Sequence, residues 1–193
     1  MDPSPPPEVL QVSMTLPQLP EEQIIQVAGF VADYISVQRQ RAHSLAIPLS
    51  RPQTTSLSGF FRSDILNSTR LLVLEASRVE NPPFYALLRE MGFTSLPDFS
   101  QMAAITFSNV VVSHQRMTGG PLFHELVHVE QYRQLGILRF AELYVRGFLV
   151  GGGYEGIPLE RNAYQLGERF ESNPQTQFSV ELEVSGWIRG GKF

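Results

Sequence analysis

The chain has 193 residues, a length that suits one domain, and 42% of them are hydrophobic, as in a globular protein. Its net charge of −4, without any basic block, gives no support for nucleic-acid binding. The absence of cysteine excludes disulfides and thiolate metal sites, so a transition-metal site in this chain must use histidine and carboxylate ligands.

The N-terminal segment, residues 1–20, contains six prolines and predicts an extended, Pro-rich arm ahead of a single domain over residues 21–193. The arm has neither the basic start nor the apolar run of a secretory signal peptide. No later stretch approaches the roughly 18 uninterrupted apolar residues of a membrane span. We therefore expect a cytoplasmic protein that does not insert into a membrane.

The first predicted helix extends from Glu21 to about Ser44. Its apolar residues recur at spacings of three and four, which is typical of an amphipathic helix: Ile24, Val27, Ala28, Val31, Tyr34 and Ile35. His43, near the end of this helix, is interpreted as a solvent-exposed histidine and not as a ligand. The stretch from Ala46 to Gly59 is rich in proline, serine and threonine and predicts a loop.

The middle of the chain predicts β-structure around one short helix. The apolar run Leu71–Leu74 predicts a strand, and Asn81 is a candidate cap for a helix over Phe84–Met91. Residues Met102–His114 predict either one irregular strand or a hairpin with its turn at Ser108-Asn109. This segment is a candidate edge strand for backbone pairing with a bound peptide, or else a strand with only a core role.

The stretch His124-Glu125-Leu126-Val127-His128 has the pattern H-E-x-x-H, the most informative motif in the chain. In a helix, residues four apart lie on the same face, so both imidazoles can reach one metal ion. Glu125 is rotated by about 100° from His124 and therefore flanks the ion instead of binding it. Hydrolysis requires this combination of an open metal position and a nearby carboxylate base. The alternative is a helix that carries two histidines without a metal.

Two helices are predicted to follow the motif. The H-E-x-x-H helix should end near Gly136, and another helix should extend from Ile137 to Val150, where a run of three glycines ends it. Pro158 then predicts the start of a further helix over residues 159–170.

Glu160 is the candidate third ligand, because it shares one helical face with Ala163 and Gly167. Two small residues on that face permit close approach to another helix, which would bring the carboxylate towards the two histidines. The alternative is a solvent-exposed glutamate on an ordinary amphipathic helix. The rival carboxylates are Glu155, Glu168 and Glu171.

The last segment, Phe178–Ile188, fits a helix or a strand, and we favour the helix.

The two motifs together resemble the gluzincin branch of zinc metallopeptidases, in which a glutamate on a second helix is the third zinc ligand. The sequences His-Glu-Leu-Val-His-Val-x-Gln-Tyr and Pro-x-Glu-Arg-x-Ala-Tyr are also similar to those of small bacterial metallopeptidases with a reduced catalytic core. The resemblance covers about residues 104–170, and Asn162 stands where relatives often carry an acidic residue. It implies an α+β, mainly helical, zincin-like fold with a small β-sheet beside the H-E-x-x-H helix.

The resemblance further implies one Zn²⁺ per chain, with Glu125 as general base and acid and a peptide or protein as substrate. The implied zinc ligands are His124, His128 and Glu160. Candidates for an oxyanion-stabilising or cleft-lining group are Tyr154, Tyr164 and His114. The alternative function is a metal-stabilised, zincin-like binding or regulatory module without peptidase activity.

Overall fold

The computed structural model describes residues 16–193, and these contain seven α-helices and four short strands. The helices are α1 (Glu21–His43), α2 (Arg51–Leu57), α3 (Ser63–Ser68), α4 (Tyr85–Glu90), α5 (Gly119–Val150), α6 (Pro158–Ser172) and α7 (Val180–Arg189). The strands are β1 (Ile47–Pro48), β2 (Arg70–Val73), β3 (Ala104–Phe107) and β4 (Val110–Ser113). The predicted α+β class, mainly helical with a small sheet, is confirmed.

The four strands form one mixed sheet in the order β1-β2-β4-β3. Strands β2 and β4 are parallel, while β1–β2 and β3–β4 are antiparallel. Of the two alternatives for residues 102–114, the hairpin is the one observed: Ser108 has a φ of 59° in its turn. Strand β3 is therefore an edge strand, and it packs against α5.

The sheet separates two hydrophobic cores. Alternate residues of β4 point to opposite faces, so Val110 and Val112 belong to one core and Val111 to the other. The first core lies between the sheet, α1, α4 and the second half of α5. The second lies between the sheet, the first half of α5 and α2, α3, α6 and α7. Its centre is Phe123, whose ring stacks on Phe170 at 4.5 Å. Burying such a side chain contributes about 1.5–3 kcal/mol.

The first helix follows its apolar pattern closely. Helix α1 presents Val27, Ala28 and Ile35 to the first core and packs against α5. His43 in its last turn is exposed, as interpreted from the sequence. Of the predicted N-terminal arm, residues 1–15 lie outside the described residues. Leu16 and Leu19 pack against the first core.

Two local predictions are wrong. The stretch 46–59, predicted to be a loop, contains β1 and α2, because Ser50 and Gln53 form a reciprocal capping box at the start of α2. Asn81 does not cap a helix. Its side chain instead donates to Asp98 and accepts the N–H of Phe99, which ties together the loops on either side of α4.

The H-E-x-x-H helix and its successor form one element with a kink. Gly136 has φ 74° and ψ 165°, a conformation that is essentially restricted to glycine, and it divides α5 where the sequence predicted a helix end.

The C-terminal segment is helical, as favoured from its sequence, and forms α7. Within residues 16–193, no helix combines the length and apolarity that a bilayer crossing requires.

Candidate metal centre

The three predicted ligands come together where α6 packs against α5. His124 and His128 lie one turn apart on α5, and their Nε2 atoms are 3.0 Å from each other. Glu160 lies in the first turn of α6, and its Oε2 is 3.3 Å from each of these nitrogens. Among the described residues, these three side chains form a group whose donor atoms could hold one metal ion.

Close packing of α6 on α5 brings Glu160 to the histidines. Ala163 is fully buried, and a Cβ placed on Gly167 would lie 4.0 Å from the Cβ of His124. The small residues identified in the sequence therefore lie at the helix contact, as their spacing indicated. The rival carboxylates are all exposed: Glu155, Glu168 and Glu171.

The spacing of the three donor atoms fits a tetrahedral ion. Zinc bonds of about 2.0–2.1 Å separate ligand atoms by about 3.3–3.4 Å in a tetrahedron. The observed separations of 3.0 and 3.3 Å are close to that edge length. Within the described part of the chain, the buried Oε2 of Glu160 makes no hydrogen bond of good geometry and meets only the two ring nitrogens at 3.3 Å. A buried carboxylate oxygen normally has one, so this atom fits a cation as its partner.

The electrostatics of the cluster favour a positive charge. Burial alone would lower the pKa of His128, but the Glu160 carboxylate, together with the Glu125 charge and the Gln131 hydrogen bond, outweighs burial and raises that pKa to about 9. Burial likewise disfavours the Glu160 anion, yet the two imidazoles hold the pKa of its carboxyl well below the usual range. Without an ion, the cluster thus holds a buried proton on His128, which a divalent cation would replace.

His128 is held from its other side by a buried amide. Its Nδ1 lies 2.8 Å from Oε1 of Gln131, one turn further along α5. The Nε2 of Gln131 donates at 3.0 Å to the carbonyl of Leu159 and at 3.0 Å to Oδ1 of Asn162, both on α6. Gln131 and Asn162 are fully buried, so this bridge is protected from water.

Glu125 lies beside the cluster and is held by the edge strand. The hydroxyl of Thr106 on β3 donates to Oε2 of Glu125 at 2.6 Å, and both residues are buried. No described residue hydrogen-bonds to the second oxygen, Oε1. One carboxylate oxygen is thus fixed, and the other is available to a water or substrate.

The cluster opens into a cavity of about 140 Å³ that is lined mainly by apolar side chains. His124, Glu125, His128 and Glu160 line one part of it, and the remainder is formed mainly by α1, α4 with the loops on either side of it, β3, the second half of α5, and Tyr154. A void of similar size lined by apolar side chains can hold a small aromatic molecule. The cavity therefore has space for a ligand group next to the three donor atoms.

The three candidate oxyanion or cleft residues take different positions. Tyr154 lines the cavity, and burial, together with the Glu160 charge, raises its pKa well above the usual range, so its hydroxyl keeps its proton at neutral pH. Tyr164 is 52% exposed, with its ring 4.5 Å from the His124 ring.

The structure does not bring His114 to this group. Its Nδ1 lies 2.6 Å from the Met102 carbonyl, and its Nε2 accepts the N–H of Val79. Both ring nitrogens therefore hold backbone segments together, and the ring does not line the cavity.

Sequence reasoning missed two residues that contact the predicted site. Gln131 had a local signal, because it lies three residues after His128 and thus on the same helical face. Thr106 had none, because its contact with Glu125 depends on how β3 packs against α5.

Comparisons of the chain with protein-family models, with curated proteins and with solved structures found no match.

Proposed function

We propose that this protein is a zinc-dependent metallopeptidase of the gluzincin type, with a zincin-like fold. One observation carries the proposal. Two imidazole nitrogens and one carboxylate oxygen lie at tetrahedral spacing, and a second carboxylate, Glu125, faces the same cavity. Three ligands plus a free carboxylate base make up a hydrolytic zinc site, whereas a structural zinc site has four protein ligands.

The residues of the cluster divide between holding the ion and moving a proton. His124, His128 and Glu160 would hold Zn²⁺, which when bound would polarise the scissile carbonyl and lower the pKa of a water molecule. Glu125 accepts the proton of the attacking water and donates it to the leaving amine. Because Thr106 holds Oε2, the proton is exchanged at Oε1 of Glu125.

The edge strand β3 supports a peptide as the substrate. The His114 N–H donates to the Ala103 carbonyl, and pairing in an antiparallel ladder alternates from residue to residue. The backbone groups of Ala104 and Thr106 therefore point to the free edge, and both residues line the cavity. An extended peptide paired with this edge would pass the metal ligands and Glu125.

Tyr154 is the better placed of the two tyrosine candidates for stabilising the oxyanion. It lines the cavity together with Glu125 and Glu160, and its raised pKa keeps it a hydrogen-bond donor. Tyr164 is more exposed and lies against the ring of His124.

The test combines metal analysis with one isosteric substitution. We expect one zinc per purified chain and cleavage of peptides that stops when a chelator is added. Glu125→Gln should keep the zinc and lose hydrolysis, because the amide cannot accept the water proton. The matched control is Glu168→Gln, an exposed carboxylate on α6, which should retain both. Undiminished cleavage by Glu125→Gln would refute the mechanism.

A second candidate function is a metal-stabilised binding or regulatory module without peptidase activity. The observation in its favour is that the ligands come from two helices, so an ion would cross-link α5 and α6 at a buried point. A metal-dependent rise in Tm without turnover of a diverse peptide library would favour this function. Cleavage of any one peptide, lost on chelation, would exclude it.

A further inference from the structure

We propose that Gln131 is a positioning residue that fixes which nitrogen of His128 faces the metal. The inference rests on the proposed metal site, but it concerns binding of the ion and not peptide hydrolysis. Gln131 is fully buried, and its amide contacts His128 on one side and helix α6 on the other.

A backbone carbonyl determines the orientation of the Gln131 amide. The Leu159 carbonyl can only accept a hydrogen bond, so the atom of Gln131 that lies 3.0 Å from it must be the NH₂ group. The carbonyl oxygen of the Gln131 amide consequently faces His128. If the amide were rotated by 180°, two oxygens would face each other in a dry site.

The amide orientation in turn determines the proton on His128. Oε1 of Gln131 accepts only, so Nδ1 of His128 must carry a hydrogen, whether the ring is neutral or charged. In the neutral ring this leaves the lone pair on Nε2, which is the atom nearest His124 and Glu160. The geometry thus makes Nε2 the nitrogen that binds the ion once the extra proton of the ring has left.

The bridge also links ligand orientation to the docking of α6. Leu159 immediately precedes Glu160, so one turn of α6 supplies both the third ligand and the carbonyl that orients Gln131. Asn162 adds a second acceptor for the same NH₂ group, while its own Nδ2 has no partner among the described residues. Displacement of α6 would therefore remove a ligand and release the His128 ring together.

The decisive measurement is zinc affinity by chelator competition. In Gln131→Met, which keeps the length of the side chain but cannot accept a hydrogen bond, affinity should fall about 10- to 100-fold. In Gln131→Glu the protonated carboxyl group can accept from Nδ1 of His128 through one oxygen and donate to the Leu159 carbonyl through the other, so affinity should lie well above that of Gln131→Met. The matched control is Gln134→Met, because Gln134 bridges α5 to α7 without contacting a ligand, and it should change affinity less than two-fold.

Nuclear magnetic resonance of histidine nitrogens in the zinc-loaded protein gives a readout that does not depend on affinity. We expect a slowly exchanging Nδ1 proton on His128, and faster exchange in Gln131→Met. If Gln131→Met is too unstable to purify, Gln131→Glu and the proton exchange of the parent protein still test the proposal.

The outcomes separate this inference from the proposed function. Equal affinity losses in Gln131→Met and Gln131→Glu would show a packing role only and overturn the inference, as would unchanged affinity in both. A parent protein that binds no zinc would overturn the proposed function and the inference together. Zinc binding with the expected pattern but no peptidase activity would support the inference and count against the proposed function.

Discussion

Thr106 connects the edge strand to Glu125, the proposed base, through one short hydrogen bond. Thr106→Val keeps the branched shape but removes the hydroxyl, so the carboxylate loses its anchor and becomes free to rotate. We expect kcat to fall about 10- to 100-fold, with little change in KM or zinc content, because the strand backbone and the ligands are unaltered. Steady-state kinetics with metal analysis would measure both.

The control for this prediction is Thr106→Ser, which keeps the hydroxyl and loses the methyl group. It should retain most of the parental kcat. A loss of activity as large as that of Thr106→Val would assign the effect to packing in the buried site and contradict a positioning role for the hydroxyl.

Tyr154 gives a second prediction at the residue scale. Tyr154→Phe removes only the hydroxyl, which is protonated at neutral pH like that of any tyrosine and whose pKa burial and Glu160 raise further. If this group donates to the oxyanion, kcat should fall about 100- to 1000-fold while zinc affinity is unchanged. Tyr164→Phe is the matched control and should have a smaller effect, since Tyr164 is 52% exposed. The reverse ranking would transfer the role to Tyr164.

The site residues differ in how far a local sequence pattern could identify them. His124 and His128 were predictable because a single helical turn sets their separation. Glu160 required one further step, the recognition that Ala163 and Gly167 permit close helix packing, and the structure brings it to the histidines. The positions of His114 and Thr106 depend on strand pairing and on packing of the sheet against α5, which no spacing within the sequence records.

At the scale of elements, Gly136 allows one long helix to serve both cores. Its φ of 74° with ψ of 165° is accessible almost only to glycine, and no atom lies within 4 Å of the position where a Cβ would be. Gly136→Ala should therefore cost about 1–3 kcal/mol from backbone strain alone. In a domain of this size that cost lowers Tm by several degrees, which thermal unfolding would measure.

The matched control for this prediction is Gly29→Ala in α1, where the added Cβ also meets no atom within 4 Å but the backbone is helical. This variant should be stabilised by about 0.5–1 kcal/mol. If the two variants unfold at the same temperature, alanine adopts the backbone conformation at position 136 without strain, and the prediction is wrong.

Sequence signals located most helices but not their partners. Proline and glycine correctly indicated the start of α6 and the break in α5, because they act on the local backbone. Helix α2 was missed, although Ser50 and Gln53 carry a capping-box pattern, because the surrounding composition suggested a loop. The parallel pairing of β2 with β4 brings together residues about 40 positions apart, and no local pattern specifies it.

At the scale of the whole molecule, the candidate centre lies where α5 and α6 meet, so its charge state contributes to stability. Without metal, the pKa of His128 is raised from 6.5 to about 9, and this contribution is complete below pH 6.5 and is lost as pH rises to about 9. The pKa of Glu160 is lowered, and its contribution is present above pH 4.5 and is lost as pH falls through the folded value. The pair therefore stabilises the metal-free protein most between pH 4.5 and 6.5.

Metal binding should have the opposite dependence on pH over the neutral range. An ion must displace the proton of His128, so each unit of pH between about 6 and 8 should raise the apparent zinc affinity about tenfold. At a fixed concentration of free zinc, the difference in unfolding free energy between the zinc-loaded and the metal-free protein therefore grows by about 1.4 kcal/mol per pH unit. The slope should disappear once pH exceeds the raised pKa of about 9. Chelator competition and chemical denaturation of the metal-free and zinc-loaded protein across this range would measure both trends.

His43→Gln, which removes an exposed histidine at the end of α1, is the control and should leave the slope unchanged. An affinity independent of pH would mean that His128 holds no proton for the ion to replace, and would contradict the buried ion pair between α5 and α6.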